Sequence, residues 1–116
     1  MNHSDCIFCK ILRKEIPTEL VYEDEHCITI KDIDPCAPIH LLIIPREHVG
    51  SLNDIASEQT AMLGHLQLAA AKVAQLVGVD EQGWRLVCNC GSWGGQTVMH
   101  LHYHLIGGKI LGWPPV

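Results

Sequence analysis

His100, His102 and His104 alternate with apolar residues in the run Val98-Met99-His100-Leu101-His102-Tyr103-His104-Leu105-Ile106. A β-strand points every second side chain to the same face. A strand over residues 98–106 therefore predicts three imidazoles on one face, with Met99, Leu101, Tyr103 and Leu105 on the other. The outer rings then lie roughly 13 Å apart at strand rise, about the size of a phosphate ester with its flanking groups. Imidazole titrates nearest neutrality, so the row suits nucleophilic attack, proton transfer or metal binding. A half-exposed strand with a polar wet face gives the same alternation without chemistry. The neighbouring residues have to decide.

Just before the histidines runs a glycine-rich connection, Gly91-Ser92-Trp93-Gly94-Gly95-Gln96-Thr97. Its glycines let backbone approach a ligand closely, and successive N–H groups in such a turn form a nest for an anion. A phosphate held there would sit beside His100 and His102. Read alone, the stretch is a flexible hairpin loop; three histidines at its exit shift the reading toward phosphate chemistry.

Cys6 and Cys9 form a C-x-x-C, which is half of a zinc site and needs two more ligands for tetrahedral closure. The alternative is two unliganded helical thiols on one face. Six cysteines in 116 residues could be a disulfide scaffold. The expectation is otherwise: no secretory leader is recognisable, and Cys88 and Cys90 share one face of an apparent strand. Cys27, Cys36, Cys88 and Cys90 are read as reduced, mostly packed thiols.

The length predicts a single domain over residues 1–116, with nearly half the residues apolar and enough for one core. Net charge is −5 and no cluster of Lys or Arg occurs, which argues against a nucleic-acid partner. A small phosphate compound remains compatible. No apolar stretch has membrane length, so no membrane partner is expected and the cytoplasm is the expected location.

Around this chemistry the periodicity predicts an α+β domain with a five-stranded, mainly antiparallel sheet, one long helix and one short one. The short helix covers residues 6–13. Leu20-Val21-Tyr22 and Cys27-Ile28-Thr29-Ile30 read as strands joined by an acidic turn. Residues 39–44 are a buried strand stopped by Pro45, after a proline-bearing loop. Residues 57–77 carry apolar side chains at helical spacing (Met62, Leu63, Leu66, Ala70, Val73, Leu76/Val77), with Ser57 as N-cap and Gly78 as the stop. Residues 84–89 and 98–106 complete the sheet as an antiparallel pair. His3, His26 and His65 are read as surface or packing residues.

Gly94-Gly95-Gln96-Thr97-Val98-Met99-His100-Leu101-His102-Tyr103-His104-Leu105-Ile106 resembles the signature of the histidine triad family, His-φ-His-φ-His-φ-φ with φ apolar. The likeness extends to Cys6-Ile7-Phe8-Cys9-Lys10-Ile11, Glu15-Ile16-Pro17, Asp32-Ile33-Asp34-Pro35, His40-Leu41-Leu42-Ile43-Ile44-Pro45, Gly107-Gly108 and Trp113-Pro114-Pro115. Nearly the whole chain is covered, in order. It is most similar to the nucleotide-binding branch that hydrolyses nucleoside phosphoramidates.

The resemblance implies a P–N hydrolase for purine nucleoside 5′-phosphoramidates, acting through a covalent nucleotidyl-histidine. His102 would be the nucleophile and His104 would assist the phosphoryl oxygens and leaving group. Asn89, Gln96, Thr97 and Val98 would lie about the phosphate, with the Thr97 hydroxyl and the Thr97 and Val98 N–H groups as donors. Asp32 would accept from the ribose hydroxyls; Ile7, Phe8, Ile11, Ile30 and Ile33 would form the slot for the base. Zinc would be structural, held by Cys6, Cys9, His48 and His100, which leaves His102 and His104 for catalysis. The likeness further implies a homodimer joining two sheets. Its tail, residues 107–116, would carry Trp113 to the partner's active site.

Two other functions fit the same features. One is a dinucleoside polyphosphate hydrolase or nucleotidyl transferase of the same family. The other is a nucleotide- or zinc-binding interaction module without turnover.

Overall fold

The computed structural model describes residues 5–116; His3 lies outside them. Five strands form one sheet in the order β1-β2-β3-β5-β4, with every neighbouring pair antiparallel. They are β1 (Tyr22–Glu23), β2 (Cys27–Lys31), β3 (Ile39–Pro45), β4 (Trp84–Val87) and β5 (Tyr103–Gly107). A short helix α1 (Ile7–Leu12) precedes them, and the long helix α2 (Thr60–Leu76) joins β3 to β4.

The two faces of the sheet do different work. Leu41, Ile43, Tyr103 and Leu105 pack with Leu66, Ala70 and Val73 of α2 in the main core. The alternate residues Ile28, Ile30, Leu42 and Ile44 turn to the opposite face, where Phe8 of α1 closes a second, smaller apolar cluster. This period-two division also sends His40 and His104 to the α1 face, one residue away from core neighbours on either side.

Several sequence expectations shift. The last strand begins at Tyr103, not at Val98, so only His104 of the three histidines lies in a ladder. The preceding segment bonds elsewhere: Leu101 N–H donates to Val49 O at 2.6 Å, and Gln96 reaches Gly50 O at 2.7 Å. Residues 96–101 thus run beside the loop that follows β3, not beside a strand. Met99 consequently leaves the apolar face and is 53% exposed. Ser57 does not cap α2; it opens a short 3-10 turn, Ser57–Gln59, after which the helix starts at Thr60. Leu76 is exposed, while Ala69 and Ala74 take inward positions. β1 keeps two residues, because Asp24 folds the chain over at once: its Oδ1 accepts the N–H groups of His26 and Cys27 at 2.7 and 2.9 Å.

All six cysteines are free. Cys27 is fully buried, and burial pushes its thiol up to about 12. Cys36 is exposed on its loop instead of packed, and Cys88 and Cys90 are half-buried beyond the end of β4 instead of within it. Among the described residues, no helix is long and apolar enough to cross a membrane.

Candidate active site and metal centre

His102 is buried, and its Nδ1 stands 2.7 Å from the carbonyl oxygen of His100. A carbonyl only accepts, so Nδ1 carries the proton and Nε2 carries the lone pair. Burial lowers the His102 pKa from its ordinary value of 6.5 despite that hydrogen bond, which favours the neutral ring. The Phe8 ring meets His102 edge-on at 5.0 Å and His100 at 5.8 Å. Phe8 thus holds the ring in place from the α1 side.

His104 lies 5.1 Å from His102, centroid to centroid. Its Nδ1 is 2.9 Å from Nε2 of His40, a residue that the sequence places in a strand and in the family likeness but to which it assigns no role. The tautomers follow in order. The Cys36 N–H donates to His40 Nδ1 at 3.1 Å, so the His40 proton is on Nε2. That N–H points at His104 Nδ1, leaving His104 with its own proton on Nε2. The Asp32 Oδ2 is 3.4 Å from His40 Nε2, and its Oδ1 accepts the Asp34 N–H at 2.8 Å. Burial first, then the neighbouring His102 and His40, lower the His104 pKa, with Asp32 opposing. The signal for His40 was present: it is the one polar residue in an otherwise apolar strand, on the same face as His104.

Among the described residues, two clusters have the composition of a metal site: Cys6, Cys9, His48 and His100, and Asp32, His40 and His104. Tautomers separate them. In the first, His100 Nε2 is 2.9 Å from Pro45 O and must donate to it, so Nδ1 faces the sulfurs as an acceptor. Cys6 Sγ and Cys9 Sγ lie 3.3 and 3.6 Å from His100 Nδ1, and Cys9 Sγ lies 3.2 Å from His48 Nδ1. Sulfur and nitrogen ligands of tetrahedral zinc stand about 3.5 Å apart at ordinary bond lengths. Donor types and spacing therefore both fit a metal ion. With burial and the neighbouring Cys6, the Cys9 thiol is pushed up to about 11. A bound cation must displace that proton. In the second cluster, the His40 nitrogen facing its companions carries a proton, so the group is a hydrogen-bonded relay.

The glycine-rich connection is a tightly folded turn. The N–H groups of Gly94 and Gln96 both donate to Gly91 O at 3.1 Å, and Gln96 Oε1 accepts the Gly91 N–H at 3.0 Å. A Cβ at Gly94 would meet Cys90 O at 2.4 Å, so no other residue fits there. Gln96 is buried and spends its side chain holding the turn to Gly50 and Val98. Asn89 Nδ2 donates to Gly95 O at 3.4 Å. Thr97 is exposed, and Val98 packs on the cluster around Phe8.

The residues expected to form a base slot are divided. Phe8 and Ile30 are buried together and Ile11 packs on their cluster, but Ile7 is 48% exposed and Ile33 fully so. Trp113 is 81% exposed on the tail, which Arg85 fastens by donating to Gly112 O at 2.6 Å. His26 and His65 stack face to face at 3.7 Å, joining the β1–β2 turn to α2.

Residues 13–110 match the HIT domain family. The chain is 49% identical over 111 residues to a HIT-like protein of Synechococcus elongatus, covering 96% of each. It is 44% identical over 108 residues to the purine nucleoside phosphoramidase of Escherichia coli K12, covering 93% of this chain and 91% of that one. A HIT family hydrolase of Legionella pneumophila has a crystal structure that superposes with a TM-score of 0.94 at 46% identity, covering 97% and 100% of the two chains.

Proposed function

The chain belongs to the HIT domain family, and we propose that it is a hydrolase that cleaves the P–N bond of purine nucleoside 5′-phosphoramidates. The observation that carries this reading is the tautomer of His102, whose lone pair is placed on Nε2 by the His100 carbonyl. The 44% identity to a purine nucleoside phosphoramidase supports the substrate class.

In this mechanism His102 Nε2 attacks the phosphorus and the P–N electron pair leaves on nitrogen. The product is a nucleotide covalently held on His102, with the amine set free. The substrate's phosphate charge favours a protonated His104 in the complex, against the lowering by burial. The leaving nitrogen takes its proton from His104 Nε2. Water then attacks the phosphorus, returns a proton to His104 and frees His102. Asn89 and the Thr97 and Val98 segment hold the phosphoryl oxygens, Asp32 accepts from the ribose hydroxyls, and the base lies along Phe8, Ile11 and Ile30.

Cys6, Cys9, His48 and His100 hold a zinc ion in this reading. Bound there, it would supply a structural cross-link between α1 and the histidine segment. The active unit is a homodimer in which the outer edge of β4 and the exposed tail meet a second copy. Trp113 and Val116, 81% and 115% exposed, supply apolar surface for that contact.

The test is turnover of a fluorogenic adenosine phosphoramidate by wild type and by His102→Ala. A loss of about 10³-fold or more is expected for the variant. Retention of activity within a few-fold overturns the assignment. A nucleotidyl adduct recovered on His102 after acid quench separates turnover from mere binding.

A further inference from the structure

The sulfurs of Cys6 and Cys9 lie within 4.8 Å of one another, and both face His100 Nδ1, at 3.3 and 3.6 Å. Cys6 caps α1, and its sulfur accepts the Cys9 N–H at 3.4 Å, so the first turn of the helix gathers the two side chains. Residues three apart in a helical turn have Cα atoms about 5 Å apart. A disulfide joins Cα atoms roughly 4.4–6.8 Å apart, so this pair can be bridged with little backbone movement. Cys6 is half-buried and open to a small solute, whereas Cys9 is buried.

The contacts of the pair give its oxidation a consequence. His100 turns its ring to both sulfurs and its carbonyl oxygen to His102 Nδ1 at 2.7 Å. Phe8, inside the C-x-x-C, meets His102 edge-on at 5.0 Å. A disulfide carries no S–H, so it ends thiol donation to His100 Nδ1, which is an acceptor because Nε2 donates to Pro45 O. Closing the sulfurs to a bond of about 2.05 Å also turns the backbone that carries Phe8. Close-packed surroundings pass such shifts on to their neighbours. His102 is the neighbour on both routes.

We propose that Cys6 and Cys9 are a redox modification site, oxidised by a hydroperoxide to a disulfide that displaces His100 and, through it, the His102 ring. The Cys6 sulfur first takes the terminal oxygen of the hydroperoxide. The O–O bond breaks, the Cys6 proton leaves with the alcohol, and Cys6 becomes a sulfenic acid. The Cys9 sulfur then attacks Cys6, the S–S bond forms, and the hydroxyl departs as water with the Cys9 proton. A dithiol reductant reverses the change. The same sulfurs cannot serve a metal and a disulfide together, so oxidation and zinc retention exclude each other. None of this chemistry depends on the phosphoramidase reading.

The experiment exposes the purified chain, after chelator treatment, to tert-butyl hydroperoxide and maps its thiols by proteolysis and mass spectrometry. A Cys6–Cys9 disulfide is expected, removed again by dithiothreitol. In proton–nitrogen spectra of the histidine rings, the His102 signals are expected to shift on oxidation and return on reduction. The same treatment should leave those signals unmoved in Cys6→Ser, while Cys36→Ser responds as wild type does. Cys6 and Cys9 both still open to alkylation after treatment overturn the proposal. A disulfide that leaves the His102 signals unmoved overturns it as well. Phosphoramidate turnover in the same samples is expected to fall about ten-fold on oxidation, the scale seen when a supporting contact is lost. Absence of turnover in reduced wild type counts against the phosphoramidase reading alone, since the thiol map and the ring signals still judge the disulfide.

Discussion

The carbonyl of His100 and the Nδ1 of His102 are 2.7 Å apart, while the His100 ring faces Cys6 and Cys9. One residue thus joins the two centres, its side chain in the sulfur cluster and its main chain orienting the proposed nucleophile. Phe8, between the two cysteines in sequence, touches both rings from the other side. Order in the sulfur cluster and order in the proposed nucleophile are mechanically linked.

His102 and His104 both have lowered pKa values, with burial the first cause in each. Lowering means that the neutral ring persists to more acid pH than in a free imidazole. The acid limb of the kcat/KM profile, set by protonation of His102, is expected to have its midpoint below the ordinary histidine value of 6.5. An acid limb with its midpoint above 6.5 would contradict the buried, neutral nucleophile.

His40 acts through His104, whose Nδ1 it contacts at 2.9 Å. Replacing it by alanine removes the donor that fixes the His104 tautomer. A fall of about 10- to 100-fold in kcat with little change in KM is expected, as for other groups that orient a catalytic residue. Steady-state kinetics on a phosphoramidate checks this. A change confined to KM would point to a binding role instead.

Metal analysis tests the sulfur cluster. Purified protein is expected to hold about one zinc per chain, and Cys9→Ser to lose it. The variant should also melt at lower temperature, because α1 is no longer tied to residues 48 and 100. Full thermal stability with no metal in wild type would remove the centre.

Thr29 offers a test of packing. Its side chain is fully buried in β2, and among the described residues its hydroxyl oxygen has no hydrogen-bond partner. Valine keeps the shape and removes the unsatisfied oxygen. Thr29→Val should stabilise the fold by about 1 kcal/mol in denaturant unfolding.

The legible parts of this molecule were those set by local pattern. The apolar run of residues 39–44 and the helical spacing from Met62 to Val73 are patterns the chain cannot hide, and both elements stand where expected. The half-site Cys6 and Cys9 was readable because its spacing carries ligand chemistry, whereas His48 and His100 came only from the family resemblance; the structure brings the four together. The start of β5 was not, since alternation continues through His100 while the hydrogen bonds do not. That segment is held by Val49 and Gly50, which no local pattern announces. His40 was passed over because an apolar run was read as core on both faces. Gln96 was assigned to the ligand, whereas its amide is consumed by the backbone around it.

The two-faced sheet also limits how this chain can change over evolutionary time. In β5 the peptide that presents His104 to the proposed site is flanked by Tyr103 and Leu105 in the main core. Adding or deleting one residue within the strand exchanges the faces, placing a histidine against α2 and leucine in the site. Neither half of the protein survives that exchange. Within β5, new specificity is therefore open to substitution but closed to insertion, and variation in length has to fall in the connections outside the ladder.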